Sequence, residues 1–82
     1  NAGNLEIVKV LVESNIKFDY DDALYRSAES GNLEIVKYLV EHGAKINGLS
    51  SPLYISCFNN YLDIVKYLVE HGATINDPEV LE

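Results

Sequence analysis

Two histidines, one cysteine and two asparagines are the side chains whose types and spacing could support chemistry. His42 and His71 recur in matching contexts, His42-Gly43-Ala44 and His71-Gly72-Ala73. A metal site needs three or four converging ligands, and no cysteine or carboxylate stands at a spacing that would complete one. Both histidines are expected to close a helix, where their hydrogen-bonding and cationic character suits the terminal carbonyls. Cys57 is the single cysteine. A nucleophilic role would need an exposed, activated thiolate, and no histidine is placed to activate it. Cys57 is therefore expected to be a small, buried packing residue. There is no glycine-rich phosphate loop, no paired acid and base, and no nucleophile with base and orienting group. The sequence predicts no catalytic residue, no metal site and no cofactor, and so not an enzyme. Asn47 and Asn76 end the matching segments that begin at His42 and His71. Their amides are expected to brace the turn through local backbone hydrogen bonds.

Composition narrows the remaining classes. The chain has 82 residues, near the size where one core is marginally stable. It is 48% hydrophobic and 23% charged, as a folded protein is and a disordered one is not. The net charge of -7 comes from 13 acidic and 6 basic side chains. Nucleic acids and anionic membranes are bound through Lys and Arg, so neither is an expected partner. Apolar runs such as Val10-Leu11-Val12 are far shorter than the roughly 20 residues that cross a bilayer, and no signal peptide is evident. One cysteine permits no internal disulfide, which agrees with a reducing, intracellular and cytoplasmic setting.

The elements that must position any site are set by an internal repeat. The run Leu5-Glu6-Ile7-Val8-Lys9-Val10-Leu11-Val12-Glu13 returns at Leu33–Glu41 and at Leu62–Glu70, at offsets of 28 and 29 residues. Each copy reads as a helix. Asn4 and Asn32 stand at the N-cap position. Glu6, Glu34 and Asp63 lie in the first turn, where the helix dipole favours an acid. Charges occupy one narrow stripe, Glu6-Lys9-Glu13 and its equivalents. The other faces are expected to be covered, as in a helix sandwiched between copies of itself. Leu39 is then a core residue. A second helix precedes each later copy. One starts with Ser51 as cap and Pro52 in the first turn; its counterpart starts with Asp22 as cap. Ser27, Ala28, Ser56 and Cys57 are small enough for close packing, and Gly31 and Asn60 end these helices with residue types that tolerate positive φ.

The order Ser51-Pro52-Leu53-Tyr54, a small pair, a turn, Leu62-Asp63-Ile64-Val65-Lys66-Tyr67-Leu68-Val69-Glu70 and then His71-Gly72-Ala73-Thr74-Ile75-Asn76 resembles the ankyrin repeat. The resemblance covers nearly the whole sequence. It implies an all-α solenoid of antiparallel helix pairs and a non-catalytic protein–protein interaction module. Repeats of that family have about 33 residues, and these have 28 and 29. The deficit falls in the connection that forms a projecting β-hairpin finger in the family, so a clipped turn with little or no strand is expected. Tyr25 and Tyr54 replace the family's histidine. Short fingers and an Asp-rich helix start also resemble the arrays of large DNA viruses of amoebae, which would place the protein in host cytoplasm; a protist array or an engineered protein is the alternative. Asn47 and Asn76, each eight residues after a leucine, resemble the context of ankyrin asparagines hydroxylated by an oxygen-sensing hydroxylase.

The array divides into a partial repeat (1–19), two repeats (20–47 and 48–76) and the start of another or a tail (77–82), with Asp77 as cap. It reads as a fragment of a longer array. Uncapped repeat faces would favour end-to-end self-association. By position in the family, a protein partner would lie in the concave groove, over Asp21, Tyr25, Arg26, Glu29 and Ser30 in one repeat. In the next, the surface is Ser50, Tyr54, Ile55, Phe58 and Asn59. Tyr25, Tyr54 and Phe58 have a second reading, as packing between adjacent helices. The rival for the whole segment is a structural spacer that touches no partner.

Overall fold

Helix ends set this architecture. The computed structural model describes residues 2–48 and 50–74. Over these the protein forms α1 (Ala2–Glu13), α2 (Tyr20–Ser30), α3 (Leu33–Glu41), α4 (Pro52–Phe58) and α5 (Leu62–Glu70). There is no strand among the described residues. The fold is all-α and repetitive, with α2–α3 and α4–α5 as helix pairs, as the periodicity predicts. The expected start at Asp77 lies outside the described residues, as does Asn76.

Five residues in the left-handed region stop the helices: Asn15 (φ 61°), Gly31 (81°), Gly43 (104°), Asn60 (63°) and Gly72 (99°). After each one, the next N–H reaches back across the turn. Ile16 donates to Leu11 at 3.2 Å, Asn32 to Ser27 at 2.9 Å, Ala44 to Leu39 at 3.0 Å, Tyr61 to Ser56 at 2.9 Å and Ala73 to Leu68 at 2.9 Å. This is the Schellman closure. His42 and His71 are the C-cap residues of α3 and α5. Their Nδ1 atoms donate to the carbonyls of Tyr38 and Tyr67, both at 2.8 Å. A carbonyl can only accept, so the ring proton sits on Nδ1.

The starts differ from expectation in three places. Asn4 does not stand at the N-cap position of α1, because the helix already begins at Ala2. Gly3, the counterpart of the turn residue Gly31, is helical here, so no turn precedes Asn4. Asn32 holds the N-cap position of α3 but makes no side-chain cap hydrogen bond. Its amide lies 3.5 Å from Ser30 Oγ. The cap of α2 is Asp19, not Asp22: Asp19 Oδ1 accepts from the N–H of Asp22 at 3.0 Å. Asp19 and Asp22 have the cap-to-N3 spacing, and Asp21 and Asp22 gain from the dipole of the first turn. Tyr20 and Asp21 are thereby drawn into the helix, which shortens the connection further. Ser51 caps α4 as predicted, its Oγ accepting from Tyr54 N–H at 3.1 Å.

The core runs through the pairs as Leu24, Ala28, Ile35, Val36, Leu39, Leu53, Ile64 and Leu68, with Ala44 and Ala73 closing it after each second helix. Helix α1 packs on α3, α3 on α5, and α2 on α4. Buried Ser27 and Ser56 turn their hydroxyls onto the carbonyls of Leu24 (2.9 Å) and Leu53 (3.0 Å), so neither leaves a polar group unpaired. Full coverage of the second helices holds only for the central one. Ile7 and Val10 on α1 and Leu62 and Val69 on α5 are exposed, because each faces a side that no described element covers. Cys57 is not the buried packing residue expected, for the same reason. It is exposed, whereas its equivalent Ala28 is fully buried where α2 packs on α4.

Candidate partner-binding groove

Short connections leave separate helices and turns to be tied together by side chains, and three polar residues do this. Asp21, in the first turn of α2, accepts the N–H of Lys45 through Oδ1 at 2.8 Å. Asn47 performs the same task one repeat on, its Oδ1 accepting from Thr74 N–H at 3.1 Å. Thr74 is the counterpart of Lys45. The position equivalent to Asn47 in the earlier repeat is Phe18, which has no acceptor and instead stacks on Tyr20 at 4.4 Å between centroids. Asp21 supplies the missing oxygen from three residues away. Asn47 also donates from Nδ2 to the carbonyl of Gly72 at 3.0 Å. Its bracing therefore crosses to the next repeat rather than staying local. Asn59 completes the set, donating from Nδ2 to the carbonyl of Glu29 at 3.1 Å, which ties the end of α4 to the end of α2.

Between α2 and α4 lies an open groove of about 590 Å³, lined by Tyr25, Ser50, Ser51, Tyr54, Ile55 and Phe58. Five of the residues that sequence position assigns to a partner surface are thus brought together: Tyr25, Ser50, Tyr54, Ile55 and Phe58. Ser51 joins them through its place beside Ser50, although the sequence marks it only as a cap. Tyr54 is 52% exposed and Phe58 89% exposed, so neither packs between helices among the described residues. Tyr25 and Ile55 are half-buried.

The remaining assigned residues stand outside the groove lining. Arg26 pairs with Asp22, Nε to Oδ2 at 2.9 Å. The hydrogen bond and charge of Asp22 raise the guanidinium pKa above its ordinary value. Both groups are exposed, so the pair contributes little to stability. Ser30 turns its hydroxyl onto the carbonyl of Arg26 at 2.9 Å. Asp21 is engaged with Lys45 of its own repeat, Asn59 with Glu29 of the repeat before, and Glu29 is exposed. Away from the groove, the Tyr67 hydroxyl is buried and has no hydrogen-bond partner among the described residues. Burial raises its pKa, and the charge of Glu41 adds to this. Tyr38 is raised likewise, by burial first, then by Glu13 and Tyr20.

The groove is mainly apolar and shallow. No three His, Cys, Asp or Glu side chains gather as a metal ion would require among the described residues, and no described helix is long and apolar enough to cross a membrane. No curated relative matches the sequence. The family model described as ankyrin repeats (3 copies) matches residues 1–79.

Proposed function

Because the chain belongs to the ankyrin-repeat family, whose members generally serve as protein–protein interaction modules, we propose that it binds another protein in the groove between α2 and α4. The observation that carries this reading is the pair of exposed aromatic side chains, Tyr54 and Phe58, on a groove that also holds Tyr25 and Ile55. Aromatic residues on an open, rigid surface are effective anchors. Helices on both sides are already ordered, so binding costs little conformational entropy. Glu29 stands near this surface on an acidic protein of net charge -7. The fitting partner is a protein segment with an apolar side chain for the aromatic wall and a basic one beside it.

A second reading has its own support. Asp21, Ser30 and Asn59 are engaged in hydrogen bonds inside the array, as they would be in a spacer. Capture of proteins from cell lysate separates the two. Tyr54→Ala with Phe58→Ala, and separately Arg26→Glu with Glu29→Lys, should remove a specifically captured protein while circular dichroism stays unchanged. Identical captured sets for all variants would favour the spacer and sink the groove.

A further inference from the structure

We propose that Asn47 and Gly48 form a self-modifying site, where deamidation of Asn47 loosens the junction between its repeat and the next one. The sequence holds this one Asn-Gly pair. Asn47 is exposed and lies in a turn. The residue after it decides how easily its carboxamide is attacked, and glycine is the least obstructed choice. The fold does not require glycine there. Gly48 is absent from the positive-φ glycines, Gly31, Gly43 and Gly72. A Cβ at Gly48 would meet nothing nearer than Asp21 Oδ2 at 3.5 Å, an ordinary contact.

The chemistry needs only water. The backbone nitrogen of Gly48 attacks Cγ of Asn47 and loses its proton to solvent. The Cγ–Nδ2 bond breaks and ammonia leaves, giving a succinimide. Water then opens either carbonyl of the ring. Cleavage of the bond from Cγ to the ring nitrogen gives aspartate, and cleavage of the bond from the backbone carbonyl carbon to that nitrogen gives isoaspartate.

The structure specifies what this does. In the native junction Nδ2 is bound to the carbonyl of Gly72 and Oδ1 to the N–H of Thr74. Nδ2 cannot leave while it holds Gly72, so reaction proceeds from the opened junction, and its rate follows local opening. In the aspartate product the acceptor for Thr74 survives. The donor to Gly72 is replaced by an anionic oxygen facing a carbonyl oxygen, which is repulsive. The isoaspartate product also lengthens the backbone by one carbon at position 47, three residues ahead of Ser50 of the groove. The change is irreversible, and it biases the junction toward its open form.

Incubation of the folded protein at neutral pH, followed by peptide mass spectrometry, tests this. Asn47 should gain the mass of NH₂ exchanged for OH at least an order of magnitude faster than Asn32 or Asn59. Mild urea should accelerate it. Gly48→Ala should suppress it while leaving the thermal midpoint unchanged, because the added methyl group fits. Asn47→Asp should melt below the wild type. Conversion at Asn47 no faster than at Asn32 and Asn59, or an Asn47→Asp variant that melts like the wild type, would overturn the proposal.

Discussion

Ala28 and Cys57 occupy the same position in successive repeats, yet Ala28 is fully buried and Cys57 is exposed. The difference is one of covering, since α2 has α4 beside it and no described element lies over Cys57. A thiol-reactive probe should therefore label Cys57 in the native protein at close to the rate in denaturant. An Ala28→Cys variant that also carries Cys57→Ser should resist labelling until unfolded. Native protection of Cys57 would show that something covers that face.

Asp21 ties the start of α2 to the turn after α3 through one hydrogen bond to Lys45 N–H. Asp21→Ala should cost about 1 kcal/mol, in keeping with one exposed hydrogen bond, and Asp21→Asn should cost less than half of that because an acceptor oxygen remains. Urea midpoints at a common slope measure both. Equal losses for the two variants would mean that the carboxylate acts through its charge at the α2 terminus instead.

Gly31 meets two constraints where Gly43 meets one. Both have positive φ, but a Cβ at Gly31 would lie 2.8 Å from Cζ of Tyr61, while nothing among the described residues lies within 4 Å of one at Gly43. Gly43→Ala should cost roughly 1–2 kcal/mol, the left-handed penalty, and Gly31→Ala about 1–3 kcal/mol more, from overpacking. Trimming the ring with Tyr61→Leu should recover part of the Gly31→Ala loss but none of the Gly43→Ala loss, as a double-mutant cycle would record.

Tyr67 ties stability to alkaline pH. Its pKa is raised in the folded protein, chiefly by burial and then by Glu41. The folded state holds this proton more tightly than the unfolded one, so the stabilisation is fully present below the ordinary tyrosine value of about 10. It is lost as pH rises through the higher folded value. Tyr67→Phe should flatten that decline, and it also removes a buried hydroxyl with no partner among the described residues, so it should not destabilise the fold near neutral pH. Thermal melts on both sides of the tyrosine range would show the two slopes.

The second helices are legible in the sequence because their signal is local. α3 and α5 coincide with the repeated nine-residue run, and the stops at Gly31, Gly43, Asn60 and Gly72 follow from residue type. Ser51 is legible as a cap because Pro52 follows it. The start of α2 is not, because Asp19 and Asp22 are both acceptable caps and only the path of the backbone decides between them. Coverage is not legible either. Cys57, Ile7 and Val69 have core-like types and repeat positions, and exposure depends on a neighbour that the local pattern does not contain. Five of the ten assigned surface residues line one groove, but no sequence signal tells that Asp21 holds the turn after α3 or that Asn59 is held between repeats.

Packing passes from α1 to α3 to α5 and from α2 to α4, each helix leaning on the next of its kind. A pull along the stack would therefore be carried in series, one junction after another. The weakest junction sets the force that the whole stack can hold, and when it yields the length released is that of one repeat. In mechanical terms the molecule is a short spring with countable coils.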